Sequence, residues 1–334
     1  MFNGIKNGWQ LLKLSITTFE NHPVLVMPLL VVWVVFAPVI LWLHFGLDVS
    51  NYSNGEGLLL AFGVIFVFAF LLVFSASVLL ELIQQHEKGK AMSLGRAFGD
   101  TLRKNSYKLL PIVVVWSIIW FLLTLLESLF SSKDDSDSAD KDLSAENAAN
   151  ALSGASDSTS FLSLSFDALR KGVRMIVFLV LPAVAWEDKN TWTATKRGLS
   201  ILKHNKSAFI TGYVMTGLIA WLVFLPVALI SYGSAEMGVH IPSWGWLLVI
   251  LYTAFAWSYS MYLEQMFTAE LFLWYKHWED KVSIAKDAGQ QPPQMNDVNQ
   301  PSLLDEHSDL VNNQRPPQPP SAKMQDRKDN RFGH

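Results

Sequence analysis

The sequence contains no cysteine among its 334 residues. Thiol nucleophiles, disulfide frameworks and cysteine-ligated zinc are therefore excluded. Charge is scarce as well. Only 16% of residues are Asp, Glu, Lys or Arg, against about 25% in an ordinary soluble domain. The net charge of −3 supplies no basic excess for nucleic acid, so none is expected as a partner. HExxH, GxSxG and Walker A patterns are missing. The eight histidines are scattered. His22, His44 and His240 fall at the ends of apolar runs, where interfacial positions are expected rather than metal ligation. Neither enzyme activity nor a cofactor is expected.

What the chain does have is long apolar runs, with the charges crowded between them. A helix needs about 20 mostly apolar residues to cross a hydrocarbon core of about 30 Å. Candidate spans are Val24–Phe45, Leu58–Leu80, Leu109–Leu126, Val173–Trp186, Ala208–Ile230 and Trp246–Leu263. The fourth is short, and the reading starts it near Phe161, which includes several cations. Lipid offers no partner to open backbone groups, so each span should be helical. Prolines 28, 38, 182 and 226 are expected to kink or end helices. The first run follows a long amphipathic lead and has no small-residue cleavage site after it, so a removable signal peptide is not expected.

Lys and Arg alternate between the connecting segments. Residues 84–108 carry Lys88, Lys90, Arg96, Arg103, Lys104 and Lys108, and residues 187–207 carry Lys189, Lys196, Arg197, Lys203 and Lys206. Residues 46–57 and 231–245 carry none. The bias sets both termini in the cytoplasm. Trp42, Trp186, Trp244, Trp246, Trp274 and Trp278 fit interfacial belts. The expected fold class is thus all-α, a polytopic membrane bundle of about six transmembrane helices, with residues 1–281 as the membrane domain.

Two segments differ in composition. Residues 131–160 are rich in acids and serine, and should be a disordered external loop. Asp135, Asp137 and Asp140 lack the Gly and Glu of a calcium loop. Residues 282–334 are rich in Pro, Gln, Asn and Asp and should be a disordered cytoplasmic tail. Its Arg315–Pro320 stretch is polyproline-prone and could dock a Pro-reading protein partner.

An internal repeat runs through the membrane domain. Glu87, Arg96, Leu102, Arg103 and Asn105 match Glu187, Lys196, Leu202, Lys203 and Asn205 at an offset of 100 residues. A weaker third copy has Asn21 before the first span. Each copy reads as a cytoplasmic amphipathic helix, an Asn, then a helical hairpin, giving three hairpins in all. Trp186-Glu187-Asp188-Lys189 recurs as Trp278-Glu279-Asp280-Lys281. Parallel repeats of this kind occur in some transporters. The first lead helix places Phe2, Ile5, Trp9, Leu12, Ile16 and Phe19 on one stripe. Leu94, Phe98 and Leu102 form another, and Trp192, Leu199 and Leu202 a less regular one. Such helices lie in the headgroup plane or pack on their own protein.

Ionisable residues near or inside spans are the candidate site. Glu264 and Glu270 lie where the sixth apolar run continues through Met266, Phe267, Leu271 and Phe272, and are candidates for an ion or proton site. Glu81 and Glu127 end their spans and are expected at the interface. Arg170, Lys171 and Arg174 are candidates for an anion or lipid-phosphate site. Asp167 sits at pairing distance along the same helix. Ser75, Ala76, Ser77, Gly212, Thr216 and Gly217 allow helices to approach closely.

Leu181-Pro182-Ala183-Val184-Ala185-Trp186-Glu187, followed by Ala194-Thr195-Lys196-Arg197-Gly198-Leu199-Ser200-Ile201-Leu202-Lys203, resembles a family of uncharacterised bacterial six-helix integral membrane proteins. The layout is also similar to the membrane domain of some glycerophosphodiester phosphodiesterases. The resemblance covers residues 1–282. It departs at Gly198, where the family often has Ser, and at the long acidic loop. It implies a bacterial inner-membrane location and six helices, and carries over no catalytic residue. The leading expectation is a non-enzymatic membrane protein acting through contacts with membrane lipids or proteins. The alternative is a small transporter or lipid translocator.

Overall fold

The computed structural model describes residues 2–45, 53–131, 161–235 and 242–299. Most of the acidic loop and most of the tail, including the Pro-rich patch, lie outside these ranges. Every regular element among the described residues is helical, so the fold is all-α. Helix α1 is Phe2–Asn21, and a short 3-10 turn, Pro23–Val26, leads into α2, Met27–Phe45. Then come α3 (Asn54–Glu87), α4 (Leu94–Asp100) and α5 (Ser106–Ser131), with a π turn Thr101–Asn105 joining the last two. They are followed by α6 (Phe161–Ala185), α7 (Thr191–His204), α8 (Lys206–Ala235) and α9 (Ser243–Asp287).

Four stretches are long and apolar enough to cross a membrane: Gly55–Glu87, Leu94–Phe130, Lys206–Ser234 and Trp244–Asp287. Helices α1 and α2, bent by 105° at His22, make a fifth candidate if counted as one broken span. The chain is a multi-pass membrane protein on this ground. The expected fourth span lies inside α6, which starts at Phe161 and does include Asp167, Arg170, Lys171 and Arg174. Those charges keep it out of the plainly apolar set. Pro38, Pro182 and Pro226 sit inside α2, α6 and α8 and end none of them.

Burial divides the helices. The long buried stretches belong to α3 (Leu72 to Gln85), α6 (Met175 to Val184) and α9 (Ser258 to Tyr275). Much of α2, α5 and α8 stays exposed on an apolar face, as a lipid-facing helix would. A left-handed residue follows each core helix: Gly89 (φ 69°) two residues past α3, Asp188 (φ 53°) three past α6 and Gly289 (φ 66°) two past α9. The residue after each returns a backbone bond to the helix: Lys90 to Gln85, Lys189 to Ala183, Gln290 to Ala285. These bonds satisfy carbonyls that a helix end leaves open.

The repeat asparagines stand at three helix junctions. Asn21 closes α1, Asn105 closes the π turn, and Asn205 separates α7 from α8. Each lead helix packs on part of the preceding hairpin, taken cyclically: α4 on α3, α7 on α6, and α1 on α8 and α9. The α1 stripe is therefore only partly outward. Leu12 is buried, Ile16 and Phe19 pack on the core, and Ile5 and Trp9 stay exposed.

Two boundaries differ from expectation. Helix α9 does not stop at Leu263 but runs 45 residues to Asp287, about 67 Å of rise. The tail does not leave the bundle at residue 282. Val298 is buried, and the Trp274 and Trp278 indoles donate to the carbonyls of Val298 (3.0 Å) and Pro293 (2.9 Å).

Between helices in lipid, close packing replaces the hydrophobic drive. Glycines make that packing possible at three contacts. A Cβ on Gly8 would stand 2.7 Å from Thr211, one on Gly198 2.7 Å from Val180, and one on Gly212 2.0 Å from the Phe267 ring. The Val180 contact explains why Gly, not Ser, stands at position 198. Hydroxyls within the helices bond back to carbonyls: Ser117 to Val113 (2.7 Å), Thr216 to Gly212 (2.7 Å) and Ser260 to Ala256 (2.8 Å). The buried hydroxyls of Ser77 and Thr101 have no such partner.

Gly212→Ala should destabilise the protein by about 1–3 kcal/mol through overpacking. Gly63→Ala meets nothing within 4 Å and should be neutral or stabilising by up to about 1 kcal/mol. Unfolding in detergent measures both, and equal effects would contradict the close contact.

Candidate functional site

Helix α6 offers Asp167, Arg170, Lys171 and Arg174 on successive turns, and its cations reach three neighbours. Arg174 meets Glu264 on α9 in a two-pronged pair, Nε to Oε2 at 2.7 Å and Nη2 to Oε1 at 2.9 Å. Lys171 Nζ stands 3.7 Å from the same carboxylate. It donates to the Tyr213 carbonyl of α8 (2.8 Å) and lies 4.9 Å from the centre of the Tyr213 ring. The Tyr213 hydroxyl returns a bond to the Ala168 carbonyl (2.9 Å). Arg170 turns toward α5, where it pairs with Glu127 and reaches Thr124, and it also binds Asp167 at 2.9 Å.

The expected cation site and anion site are therefore largely one site. Glu264 is not a free carboxylate, because a guanidinium occupies both its oxygens. Arg170 does not join Lys171 and Arg174. Glu127 is not an interfacial group on its own but the partner of Arg170. Glu81, also expected at the interface, is buried within α3.

Arg174 lies about 16 Å of helix rise before Ala185, where α6 ends. An isolated charge at the centre of a membrane costs about 2.5–3.5 kcal/mol on insertion scales. Pairing removes much of that cost, and a fork-to-fork Arg–carboxylate pair is the strongest form of it.

Glu270 stands apart from this network. It is fully buried, and its Oε2 accepts from the Ser15 hydroxyl of α1 at 3.1 Å. Oε1 has no hydrogen-bond partner. Tyr262 closes the group by donating to the Ser15 carbonyl at 3.1 Å. Gln265 is fully buried with neither amide atom bonded. A buried carboxyl with no cation beside it holds a proton, or an ion, or bears a heavy desolvation cost.

A second ion-pair cluster was not singled out from the sequence. Arg197 on α7 pairs with Glu187 (3.4 Å) and with Glu279. Its guanidinium also lies 5.8 Å from the Phe272 ring centre and 5.6 Å from that of Tyr275. Lys189 meets Glu187 at 2.6 Å. One arginine thus joins the glutamates of both Trp-Glu-Asp-Lys tetrads. The Glu187–Arg197 pair spans the turn between α6 and the second helical turn of α7, so no helical spacing in the sequence marks it. Nearby, Lys108 binds the Asp188 side chain and, at 3.2 Å, its carbonyl. Thr191 donates to the Lys108 carbonyl at 2.6 Å.

Among the described residues, no group of His, Asp and Glu is placed to hold a metal ion. No family model, curated protein or solved structure matches the chain.

Arg197→Ala should cost about 2–3 kcal/mol, since it leaves two charge-assisted pairs unmade. Thermal unfolding measures the loss. A variant as stable as the parent would show that the pairs are ornamental.

Proposed function

We propose that the protein is a non-enzymatic, six-crossing protein of a bacterial inner membrane that acts through its contacts with lipid headgroups. Both termini lie in the cytoplasm on this reading. Helix α6 is the added crossing: its 25 residues rise about 37 Å, enough for the core, and its charges are paired within the bundle. The resemblance to uncharacterised six-helix bacterial proteins points the same way. Its acidic residue and basic helix, Glu187 and α7, are the parts that Arg197 ties together.

The observation that carries the reading is the exposed face of the lead helices. Leu94, Phe98 and Leu102 are 38%, 50% and 55% exposed, and Trp192 and Leu199 are 77% and 47% exposed. Arg96, Arg103, Lys104, Lys196 and Lys203 lie among them. Apolar side chains interleaved with cations suit the boundary between acyl chains and anionic headgroups.

A second reading is a small transporter or lipid translocator. It is favoured by the Lys171–Arg174–Glu264 group, because ionisable residues at mid-depth are typical of translocation paths.

The lack of native cysteine permits a direct test. Leu102→Cys and Trp192→Cys, each carrying a polarity-sensitive fluorophore, are placed in vesicles containing phosphatidylglycerol. The reading expects quenching by lipid-borne nitroxides near the headgroups and protection from aqueous iodide. Full iodide access with no lipid quenching would refute it.

A further inference from the structure

We propose that Lys171 and Arg174 form a binding site for one phosphate-type oxyanion where α6 faces α8, at mid-depth in the bundle. This is distinct from the surface contacts of the lead helices and goes beyond them.

The charge balance is the first observation. One carboxylate, Glu264, serves two cations. On the α5 side the balance is reversed, with Arg170 facing both Glu127 and Asp167. The excess positive charge is therefore confined to the side that faces α8. An uncompensated cation is costly at this depth, and a bound anion would remove that cost.

The second observation is direction. Glu264 keeps 3% of its side chain exposed, whereas Lys171 and Arg174 keep 15% and 18%. The carboxylate forms the floor and the cations form the rim. Arg174 uses Nε and Nη2 on Glu264. Its Nη1 has no partner among the described residues and remains as a donor.

The third observation is how the two helices meet. They are joined by side chains, Lys171 donating to the Tyr213 carbonyl and the Tyr213 hydroxyl to that of Ala168. A Cβ on Gly217 would stand 2.9 Å from Lys171 Nζ, so glycine there leaves the ammonium its place against α8. Arginine beside lysine is the donor set that phosphate oxygens take. The ligand's phosphate could belong to an anionic lipid or be free in solution.

The experiment uses the full chain purified in neutral detergent. Thermal unfolding is followed with added phosphatidylglycerol, phosphatidylcholine or inorganic phosphate. The proposal expects phosphatidylglycerol or phosphate to raise Tm by about 5 °C at saturation. A shift with the anionic lipid alone assigns a headgroup, and a shift with phosphate too assigns a free oxyanion. Lys171→Gln should lose the shift. Gly217→Ala, which keeps every charge but crowds the ammonium, should weaken it and decides the matter if Lys171→Gln does not fold. Lys286→Gln, exposed near the end of α9 and outside both the site and the lead helices, should keep it. No shift in the parent protein, an equal shift with phosphatidylcholine, or an undiminished shift in Lys171→Gln or Gly217→Ala would overturn the proposal. None of these outcomes bears on the fluorophore test of the lead helices.

Discussion

Inside an apolar slab, a charged group must find its counter-charge within the protein. That constraint organises this bundle. Helix α6 carries three half-buried cations just ahead of its most buried stretch, with Arg170 against Glu127 of α5 and with Lys171 and Arg174 sharing Glu264 of α9. The pairs do more than neutralise. They fix the rotation of α6 about its axis, because a turn of 100° would withdraw all of them together. They also allow α9 to continue past Leu263, since Glu264 enters the core already matched. The most buried stretch of the molecule, Ser258 to Tyr275, lies across that point.

The same logic recurs at the ends of the core helices. Glu187 and Glu279 belong to equivalent tetrads, and Arg197 holds both. A left-handed residue and a returning backbone bond close α3 and α9 in one manner, and a wider turn through Asp188 closes α6. Asn21, Asn105 and Asn205 stand where α1, α4 and α7 give way to α2, α5 and α8. The lead helices keep apolar side chains such as Phe98 and Trp192 exposed, while α6 and α9 hold the Arg174–Glu264 pair.

Much of this was legible in the sequence. Apolar runs of sufficient length forced the helical class, and the start of α6 near Phe161 followed from the need for about 20 residues. The asparagine junctions followed from the repeat. The pairings did not. Arg174 and Glu264 are 90 residues apart, and no local spacing shows which acid meets which base. Glu264 and the α6 cations were therefore read as two sites rather than one. The end of α9 was missed because Glu264 and Glu270 look like the close of a span when their partners are unknown. The packed start of the tail was missed for a related reason. Its polar composition suggests solvent, but Val298 is buried and two indoles bind carbonyls there.

A double-mutant cycle on Arg174 and Glu264 tests this account most directly. Arg174→Gln, Glu264→Gln and the double variant are compared by reversible unfolding in detergent. Each single variant should lose about 3–5 kcal/mol, because it strands a buried charge. The double variant should lose less than the sum by at least about 1.5 kcal/mol. Strictly additive losses would mean that the two residues do not hold one another, and the account would fail.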